Sequence, residues 1–529
     1  MNLLQHKYAG KVKCIYIDPP YNTGSDEFIY KDRYQHASWM SMMEDRLQLA
    51  HRLQSGDGAI FVSCDDNEQA NLRRLLDQTY GAHSFIASVI WQKNFSPKNT
   101  ARYFSEDHDY ILVHATDKHN WSPQLLPRSE EADARYSNPD NDSRGLWTSS
   151  DLSARNYYSE GSYIVTSPSG KAFPPPEGRY WSIDEGKFLE LDRDNRIWWG
   201  TNGSNMPRLK RFLSEVKQGI VPQTLWKYED VGHTQDAKKE LLAIINFLRT
   251  EDVLNTVKPT SLIRRVLQIG TGKTQTDWVL DFFAGSGTTG HAVIRQNRDD
   301  GVRRRFQIVE MGTYFDSMVF QRTARALYAP EWKQGKPREE PTFEGLFEND
   351  ALPDWVERSP RLVKVLRLES YEDSLQNLIS REETRPRKVS SDTELHYLFE
   401  KAVDTRALIN VEKLEHPFDY TLEVLGEDGP QARPVDLIET TNLLLGLDVV
   451  KYETWTAPDK REYLAVHAHK DGHAWLVLWR DMADLDIKAE RKFLQPRIKG
   501  FDQVRINGDS AVPGIRSLDL ELARAMGAL

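Results

Sequence analysis

The sequence predicts an α/β fold, interrupted by a long irregular insertion and followed by a separate α+β region. Three observations support this. Short β-branched runs alternate with amphipathic helical patterns over residues 1–120, and the same pattern returns over 234–330. Residues 121–233 have weak periodicity and many aromatic, Gly, Pro, Ser and Asn residues, and 331–529 mix helical and strand patterns. Alternating strands and helices are typical of a parallel sheet covered by helices.

The first element is a short apolar run that ends at two prolines. Val12–Ile17 reads as a buried strand, and Pro19 and Pro20 end it because proline cannot continue a central strand. Apolar spacing predicts the other elements of this segment, which are helices at 39–53 and 68–80 and strands at 59–64, 84–92 and 109–114.

The irregular segment is too long for a simple connection inside a compact domain, so we expect an insertion or a small β-containing domain. Basic and aromatic residues alternate towards its end, which is typical of a nucleic-acid contact face. A solvated basic helix beside ordinary core aromatics fits the same pattern. The residues concerned are Trp198, Trp199, Arg208, Lys210, Arg211, Lys217, Trp226 and Lys227.

Regular elements return after the insertion. The pattern predicts helices at 234–249, 259–269 and 291–297, with strands at 276–283 and 305–309. The C-terminal region then predicts a helix at 439–447 and strands at 463–467 and 474–479.

Charge is distributed unevenly along the chain. The sequence has 69 Lys and Arg against 79 Asp and Glu, a net charge of −10; residues 1–330 sum to zero and 331–529 carry all of it. The neutral part can still hold basic faces that bind phosphates, so composition permits a DNA partner without indicating one. We expect the acidic C-terminal region to contact a protein partner or another copy of the chain.

Several classes of protein are excluded. Two cysteines, Cys14 and Cys64, cannot form a disulfide framework or a four-cysteine zinc site. His36, His51 and His108 lack metal-ligand spacing, so no metal site is expected. The sequence has no 18-residue apolar run and no apolar signal-peptide core, which predicts a cytoplasmic protein without a membrane partner.

A glycine-rich turn follows the strand predicted at 276–283. Gly285 and Gly287 allow a ligand to approach the backbone, and the next helix offers unpaired N–H groups. Glu310 ends the following strand and can accept hydrogen bonds from ribose hydroxyls. A tight turn without a ligand is the alternative.

The loop Asp18-Pro19-Pro20-Tyr21 follows the first strand. Two prolines make it rigid at the carboxyl edge of the sheet, where open α/β sheets bind ligands. The Asp18 carboxylate and the Pro19 carbonyl are acceptors, and Tyr21 offers a flat ring. This combination suits an exocyclic amino group on an aromatic ring, although a Pro-Pro turn can also be a structural stop.

These two motifs carry a resemblance. The segments DPPYNTG (18–24) and DFFAGSGTT (281–289) resemble the adenine-specific DNA methyltransferases of the beta class. With VSCDDNE (62–68) and DYILV (109–113), the chain is similar to modification subunits of type III restriction systems over about residues 1–330. The resemblance implies a Rossmann-like methyltransferase sheet in circularly permuted order: a catalytic half, an inserted target-recognition region and then the S-adenosylmethionine-binding half.

The resemblance also implies residue roles. Asp18 and the Pro19 carbonyl, in the loop continued by Pro20, would accept hydrogen bonds from the adenine N6 amino group, while Tyr21 stacks on the flipped-out ring. The resemblance assigns the following residues to S-adenosylmethionine: Asp281, Phe283, Gly285, Gly287, Thr288, Glu310 and Lys258.

The partners implied are double-stranded DNA, a second copy of the chain in a homodimer, and a helicase-nuclease restriction subunit. An acidic Gly-Asp-Asn-like segment that family members carry upstream of Asp18 is not found, because only 17 residues precede it. This departure leaves open a DNA-recognition subunit that does not methylate. Methylation of the cytosine N4 amino group, or of RNA, is a further alternative, and Asp rather than Ser before Pro-Pro favours adenine.

Overall fold

The computed structural model describes residues 1–23, 34–128, 133–217, 219–247, 249, 253–254, 256–273, 276–338, 362–368, 414–426 and 429–525. They form two compact units. One comprises Met1–Trp121, Leu225–Arg264 and Lys273–Leu529, and the other comprises Ser122–Thr224 and Arg265–Gly272. In the described part of the chain, every helix is too short or too polar to cross a membrane.

The strands alternate with helices in the first unit and are short in the second. In chain order the described strands are β1 (Val12–Ile17), β2 (Gln54–Cys64), β3 (Phe85–Gln92), β4 (His108–Ala115), β5 (Trp147–Asp151), β6 (Ser153–Ala154), β7 (Val165–Thr166), β8 (Ala172–Phe173), β9 (Tyr180–Trp181), β10 (Ile197–Trp198), β11 (Arg208–Phe212), β12 (Leu225–Trp226), β13 (Trp278–Asp281), β14 (Arg305–Ile308), β15 (Trp332–Lys333), β16 (Lys336–Pro337), β17 (Thr421–Gly426), β18 (Gly429–Pro434), β19 (Asp448–Thr456), β20 (Glu462–Lys470), β21 (His473–Arg480), β22 (Gln503–Ile506) and β23 (Ile515–Ser517).

The described α-helices are α1 (Asn2–Tyr8), α2 (His36–Leu53), α3 (Gln69–Tyr80), α4 (Glu185–Arg193), α5 (Tyr228–Val231), α6 (Thr234–Ile244), α7 (Thr260–Gly270), α8 (Thr288–Asp300), α9 (Gln321–Tyr328), α10 (Leu437–Leu444), α11 (Ile487–Leu494) and α12 (Leu518–Ala525). Most lie within a few residues of the positions that apolar spacing predicts. The helix predicted at 234–249 is the main exception, since α6 ends at Ile244.

A seven-stranded sheet in the order β12-β3-β4-β2-β1-β13-β14 forms the centre of the first unit. The predicted α/β fold is therefore confirmed. β1 pairs in parallel with β2 on one side and with β13 on the other, although these strands lie far apart in sequence. The two chain segments that flank the insertion thus share one sheet.

One strand contradicts the expectation of a parallel sheet. β4 runs antiparallel to both of its neighbours, β2 and β3. The physical reason is the connection between β3 and β4, which contains no crossover helix, whereas parallel neighbours need one. The start of β4 therefore lies at the same edge of the sheet as the carboxyl ends of the parallel strands.

One hydrophobic core of the first unit lies between β1, β2 and the helices α2 and α3. Trp39, Met43, Leu47 and Ala50 recur at three- and four-residue spacing on α2, and all are fully buried. Their packing fixes α2 beneath the loop that follows β1.

The second unit contains the three-stranded sheet β10-β11-β5 and short hairpins. Lys210 on β11 is fully buried and forms ion pairs with Asp140 and Asp142. Trp199 is also in a core. Trp199 is therefore an ordinary core aromatic residue, whereas Lys210 is buried on a strand and fits neither the nucleic-acid face nor the solvated basic helix.

The C-terminal region holds a second sheet, β19-β20-β21-β22-β23, which is antiparallel from β19 to β21 and parallel from β21 to β23. It belongs to the same compact unit as the large sheet. The N-terminal helix α1 contacts it, since Lys7 Nζ lies 3.2 Å from Asp448 Oδ1 and 2.5 Å from the Leu447 carbonyl.

Candidate active site

Three loops meet at one edge of the seven-stranded sheet. β1, β2 and β13 are adjacent and parallel, with Ile15 opposite Ile60 and Leu280. The segments that follow them therefore start side by side, about 5 Å apart. The reversed strand β4 brings Asp109 to the same edge.

The Pro-Pro loop is held by hydrogen bonds on both sides. The indole Nε1 of buried Trp39 donates to the Pro20 carbonyl at 2.8 Å. Asn22 adopts a left-handed φ of 59°, and its Nδ2 donates to buried Glu68 at 2.7 Å. This loop is therefore rigid on account of its contacts as well as its prolines.

The two oxygens of Asp18 differ in their surroundings. Oδ2 lies 2.9 Å from Lys258 Nζ, whereas Oδ1 is buried and has no hydrogen-bond partner among the described residues. Burial raises the pKa of this carboxyl, and the nearby Lys258 charge opposes that rise. A buried acceptor without a donor lowers the stability of the fold, so Oδ1 is suited to accept a hydrogen bond from a ligand.

Lys258 connects the two predicted motifs. Its ammonium faces Asp18 and lies over the rings of Tyr21, at 4.9 Å, and Trp91, at 5.8 Å. Its backbone carbonyl accepts a hydrogen bond from Thr288 Oγ1 at 3.2 Å. Burial lowers the pKa of Lys258, but the Asp18 and Asp109 charges outweigh it and the net shift is upward. The structure thus places the side chain of this predicted cofactor residue against Asp18, in the Pro-Pro loop.

Tyr21 is oriented by a second acidic residue. Its hydroxyl lies 3.4 Å from Asp109 Oδ2, and Asp109 Oδ1 pairs with Lys93 Nζ at 2.7 Å. Burial, followed by the Asp109 and Asp18 charges, raises the pKa of Tyr21 well above its ordinary value, so the phenol stays neutral. Its ring is therefore available as an uncharged stacking surface.

The glycine-rich turn has the open geometry that a ligand requires. Gly285 and Gly287 have φ values of 52° and 77°, which other residues rarely adopt. A Cβ added at Gly285 would meet only the Phe283 carbonyl, at 3.9 Å. The space above this turn is therefore accessible, and the N-terminus of α8, starting at Thr288, adjoins it.

Glu310, two residues after the end of β14, closes the turn. Its Oε2 accepts from the Gly285 amide at 2.6 Å, and its Oε1 accepts from the amides of Met311 and Gly312 at 2.9 and 2.8 Å. The carboxylate is thus fixed at the turn, and Oε2 retains a lone pair for a further donor.

Asp281, at the end of β13, lies beneath the turn. It accepts hydrogen bonds from the Phe283 amide at 3.0 Å and from Thr289 Oγ1 at 2.5 Å. Burial raises its pKa to about 7, although both hydrogen bonds oppose the shift. Its contacts are internal, so it shapes the turn, while Phe283 lies partly exposed beside it.

The structure adds a residue that sequence reasoning missed. Arg322, on α9, is fully buried, and its Nη1 donates to the Ser286 and Thr288 hydroxyls at 2.8 Å each. Its Nε donates to Nδ1 of His291, whose pKa burial lowers well below the ordinary value. Arg322 therefore supports the glycine-rich turn from behind. Charged residues are rarely fully buried, so no sequence pattern indicates such a role.

Comparisons with known proteins identify the family of this chain. A family model described as DNA methylase matches residues 12–315, more than half of the chain. The StyLTI Mod subunit of a type III restriction-modification enzyme from Salmonella typhimurium is 32% identical over 335 residues, covering 57% of this chain and 49% of the relative. The EcoPI Mod subunit of Escherichia phage P1 is 28% identical over 373 residues, covering 59% and 56%.

A relative of another type also matches. The type II methyltransferase M.EcaI from Enterobacter cloacae is 29% identical over 290 residues, covering 53% of this chain and 59% of the relative. The chain spans about half the length of the curated relatives it matches.

Proposed function

Because the chain belongs to the DNA methylase family, we propose that it transfers a methyl group from S-adenosylmethionine to the N6 amino group of adenine in DNA. The observation that carries this proposal is the buried, unpartnered Oδ1 of Asp18. It lies in a rigid loop next to a neutral aromatic ring, at the sheet edge shared with the glycine-rich turn.

Asp18 would receive the amino group. Lys258 holds Oδ2, so Oδ1 is the oxygen left to accept a hydrogen bond from the amino group. Together with the Pro19 carbonyl as a second acceptor, it would hold the amino hydrogens out of the ring plane, so that the nitrogen lone pair leaves conjugation with the ring. Formation of the N–C bond would break the bond between the sulfur and the methyl group of the donor, and the proton that the nitrogen then loses would pass to Asp18. Fixed acceptors of this kind act through positioning and electrostatics.

Tyr21 would hold the base. The target nitrogen is inaccessible in a stacked duplex, so the adenine must leave the helix. Lys258 covers one face of the Tyr21 ring, and we therefore place the adenine against the other. The bond to Asp109 fixes the ring in this orientation.

The glycine-rich turn fits the methyl donor. Gly285 leaves open space, and Glu310 offers a carboxylate lone pair that suits a ribose hydroxyl. Thr288 and Gly287 begin α8, whose N-terminus adjoins that space, and Phe283 presents a partly exposed ring. S-adenosylmethionine would supply an activated methyl group at this position. The Lys258 contact to Thr288 would hold the glycine-rich turn in a fixed position relative to Asp18.

The relatives suggest the biological setting. Two are Mod subunits of type III restriction-modification enzymes, which supports a cytoplasmic modification subunit with a restriction subunit as its partner. A homodimer, and a protein contact by the acidic C-terminal region, remain predictions from the sequence. Selection of the target sequence would fall to residues 121–233, through contacts to base edges.

Transfer of tritiated methyl groups from S-adenosylmethionine to DNA tests the proposal. Wild type should label DNA, and Asp18→Ala should reduce labelling at least about a hundredfold. Asp45→Ala, on the exposed face of α2, is the matched control and should retain full activity. Wild-type labelling no greater than that of Asp18→Ala would overturn the proposal. In that case, retained DNA binding would favour a recognition subunit.

The modified base must be identified separately. Long-read sequencing of DNA from a host expressing the chain reports the modified base, its position and the surrounding sequence. N6-methyladenine is expected at one recurring sequence. N4-methylcytosine there would contradict the adenine assignment while leaving the methyltransferase assignment intact.

A further inference from the structure

The connection between β3 and β4 presents three exposed aromatic rings. Phe95 is 61%, Tyr103 80% and Phe104 90% exposed. Large apolar side chains this exposed, and this close in sequence, indicate an interaction surface rather than a folding requirement. Residues 94–105 are called the hairpin loop below.

The hairpin loop has a defined conformation. The amides of Lys93 and Asn94 both donate to the Asp107 carbonyl, at 2.8 and 3.2 Å. The Lys98 amide donates to Ser105 Oγ at 2.7 Å, and that hydroxyl donates to Asp107 at 2.6 Å. These bonds tie the two sides together, so the exposed rings are presented by an ordered turn.

The base of the hairpin loop belongs to the candidate active site. Lys93, immediately before the loop, pairs with Asp109, and Asp109 contacts the Tyr21 hydroxyl. The loop therefore starts two contacts away from the ring proposed to stack on the target base.

The positive charge of the hairpin loop favours an anionic partner. Residues 94–105 contain Lys98 and Arg102 and no acidic residue, although the whole chain has a net charge of −10. Both cations are exposed, and the Arg102 guanidinium lies 5.2 Å from the Tyr103 ring centroid. Cations interleaved with exposed aromatic rings are the combination that binds a polyanion carrying stackable bases.

We propose that the hairpin loop contacts duplex DNA beside the target base, with Tyr103 and Phe104 filling the gap left by the flipped base and Lys98 and Arg102 contacting the flanking phosphates. Apolar side chains inserted between base pairs are an established way to stabilise unstacked DNA. This inference rests on the proposed function, because it is the flipped base that creates the gap.

A photocrosslinking experiment identifies the occupant. Phe104 in the full chain is replaced by p-benzoylphenylalanine, and the protein is irradiated with sheared genomic DNA from a host that lacks the chain. A protein–DNA crosslink is expected, while the same amino acid at Tyr328, 62% exposed on α9, should give little. A crosslink between two copies of the chain, without DNA, would overturn the proposal in favour of a self-association surface.

Substitutions measure the contribution of the rings. Tyr103→Ala combined with Phe104→Ala should raise the KM for DNA in methyl transfer by about tenfold or more, as expected for lost stacking. Phe104→Leu keeps an apolar wedge and should stay near wild type. Tyr328→Ala is the control. The affinity for S-adenosylmethionine, measured by calorimetry, should be unchanged in all variants, which verifies folding. A double variant with wild-type KM would contradict the proposal.

The salt dependence of DNA binding tests the phosphate contacts of Lys98 and Arg102. Lys98→Ala and Arg102→Ala should each reduce the slope of log Kd against log salt concentration by about 1, since each phosphate contact releases counterions. Unchanged slopes would refute the phosphate contacts. If the p-benzoylphenylalanine variant crosslinks to DNA while the wild type transfers no methyl group, the proposed function fails and the loop's DNA contact stands. If instead the wild type methylates DNA and the loop variants behave like the wild type, the loop's DNA contact is refuted while the proposed function stands.

Discussion

Lys258 Nζ lies 2.9 Å from Oδ2 of Asp18, while the other oxygen of that carboxyl is buried without a partner. The two oxygens of Asp18 therefore have different roles. The oxygen facing Lys258 anchors the carboxyl, and the other remains for the substrate. The backbone carbonyl of Lys258 also accepts a hydrogen bond from Thr288 at the glycine-rich turn. This one residue therefore links the Asp18 loop to the glycine-rich turn.

Lys258→Met should shift the pH dependence of methyl transfer. Burial raises the pKa of Asp18, and Lys258 is the strongest of the groups that oppose this, so removing the ammonium should raise that pKa further. Because the ionised form is required, the acidic limb of the rate profile should move to higher pH and the rate at neutral pH should fall. Lys258→Arg retains the charge and is the control. An acidic limb at the same pH in Lys258→Met and wild type would argue against this role.

Tyr21 is expected to act through its ring. Its hydroxyl contact with Asp109 is long, at 3.4 Å, so Tyr21→Phe should lower kcat/KM by no more than about threefold. Tyr21→Ala removes the stacking surface and should lower it by roughly 10- to 100-fold. Steady-state kinetics on genomic DNA measure both. Equal losses in the two variants would show that the hydroxyl, and not the ring, matters.

Gly285→Ala tests whether the open space above the glycine-rich turn holds the cofactor, apart from any effect of backbone strain. The left-handed φ should cost about 1–2 kcal/mol of stability, and the new Cβ would enter the open space above the turn. Gly301→Ala, at the other end of α8, has a φ of 71° and open surroundings, so it is the matched control for strain. Calorimetry should show S-adenosylmethionine binding weakened at least about tenfold in Gly285→Ala alone. Equal weakening in both would contradict a cofactor site at this turn.

Asp281 should make stability depend on pH. Folding raises its pKa from 3.8 to about 7, so the folded state binds this proton more tightly than the unfolded state. The resulting stabilisation is full below pH 3.8 and is lost as the pH rises through about 7. Asp281→Asn removes this dependence. The wild-type Tm minus the variant Tm should therefore grow as the pH falls from about 7 to about 5, and a constant difference would be evidence against it.

The chain order of motifs sufficed to predict the α/β sheet and the two loops of the site. Val12–Ile17 is a strand as predicted, because a β-branched run followed by two prolines allows few alternatives. The expected parallel direction of β4 is wrong, because the apolar pattern of a strand is the same in both directions. The support from Arg322 and the Lys258–Asp18 contact depend on tertiary packing, which residue spacing does not report.

The reversed direction of β4 has a further consequence. Lys93 and Asp107, which flank the hairpin loop, stay at the reaction edge, and the backbone hydrogen bonds that Asp107 accepts from Lys93 and Asn94 do not involve the tip of the loop. The tip can therefore be exchanged for a segment of different length or sequence without moving Asp109. This makes the hairpin loop a natural grafting site, where an enzyme's grip on its substrate could be re-engineered while its chemistry is left alone.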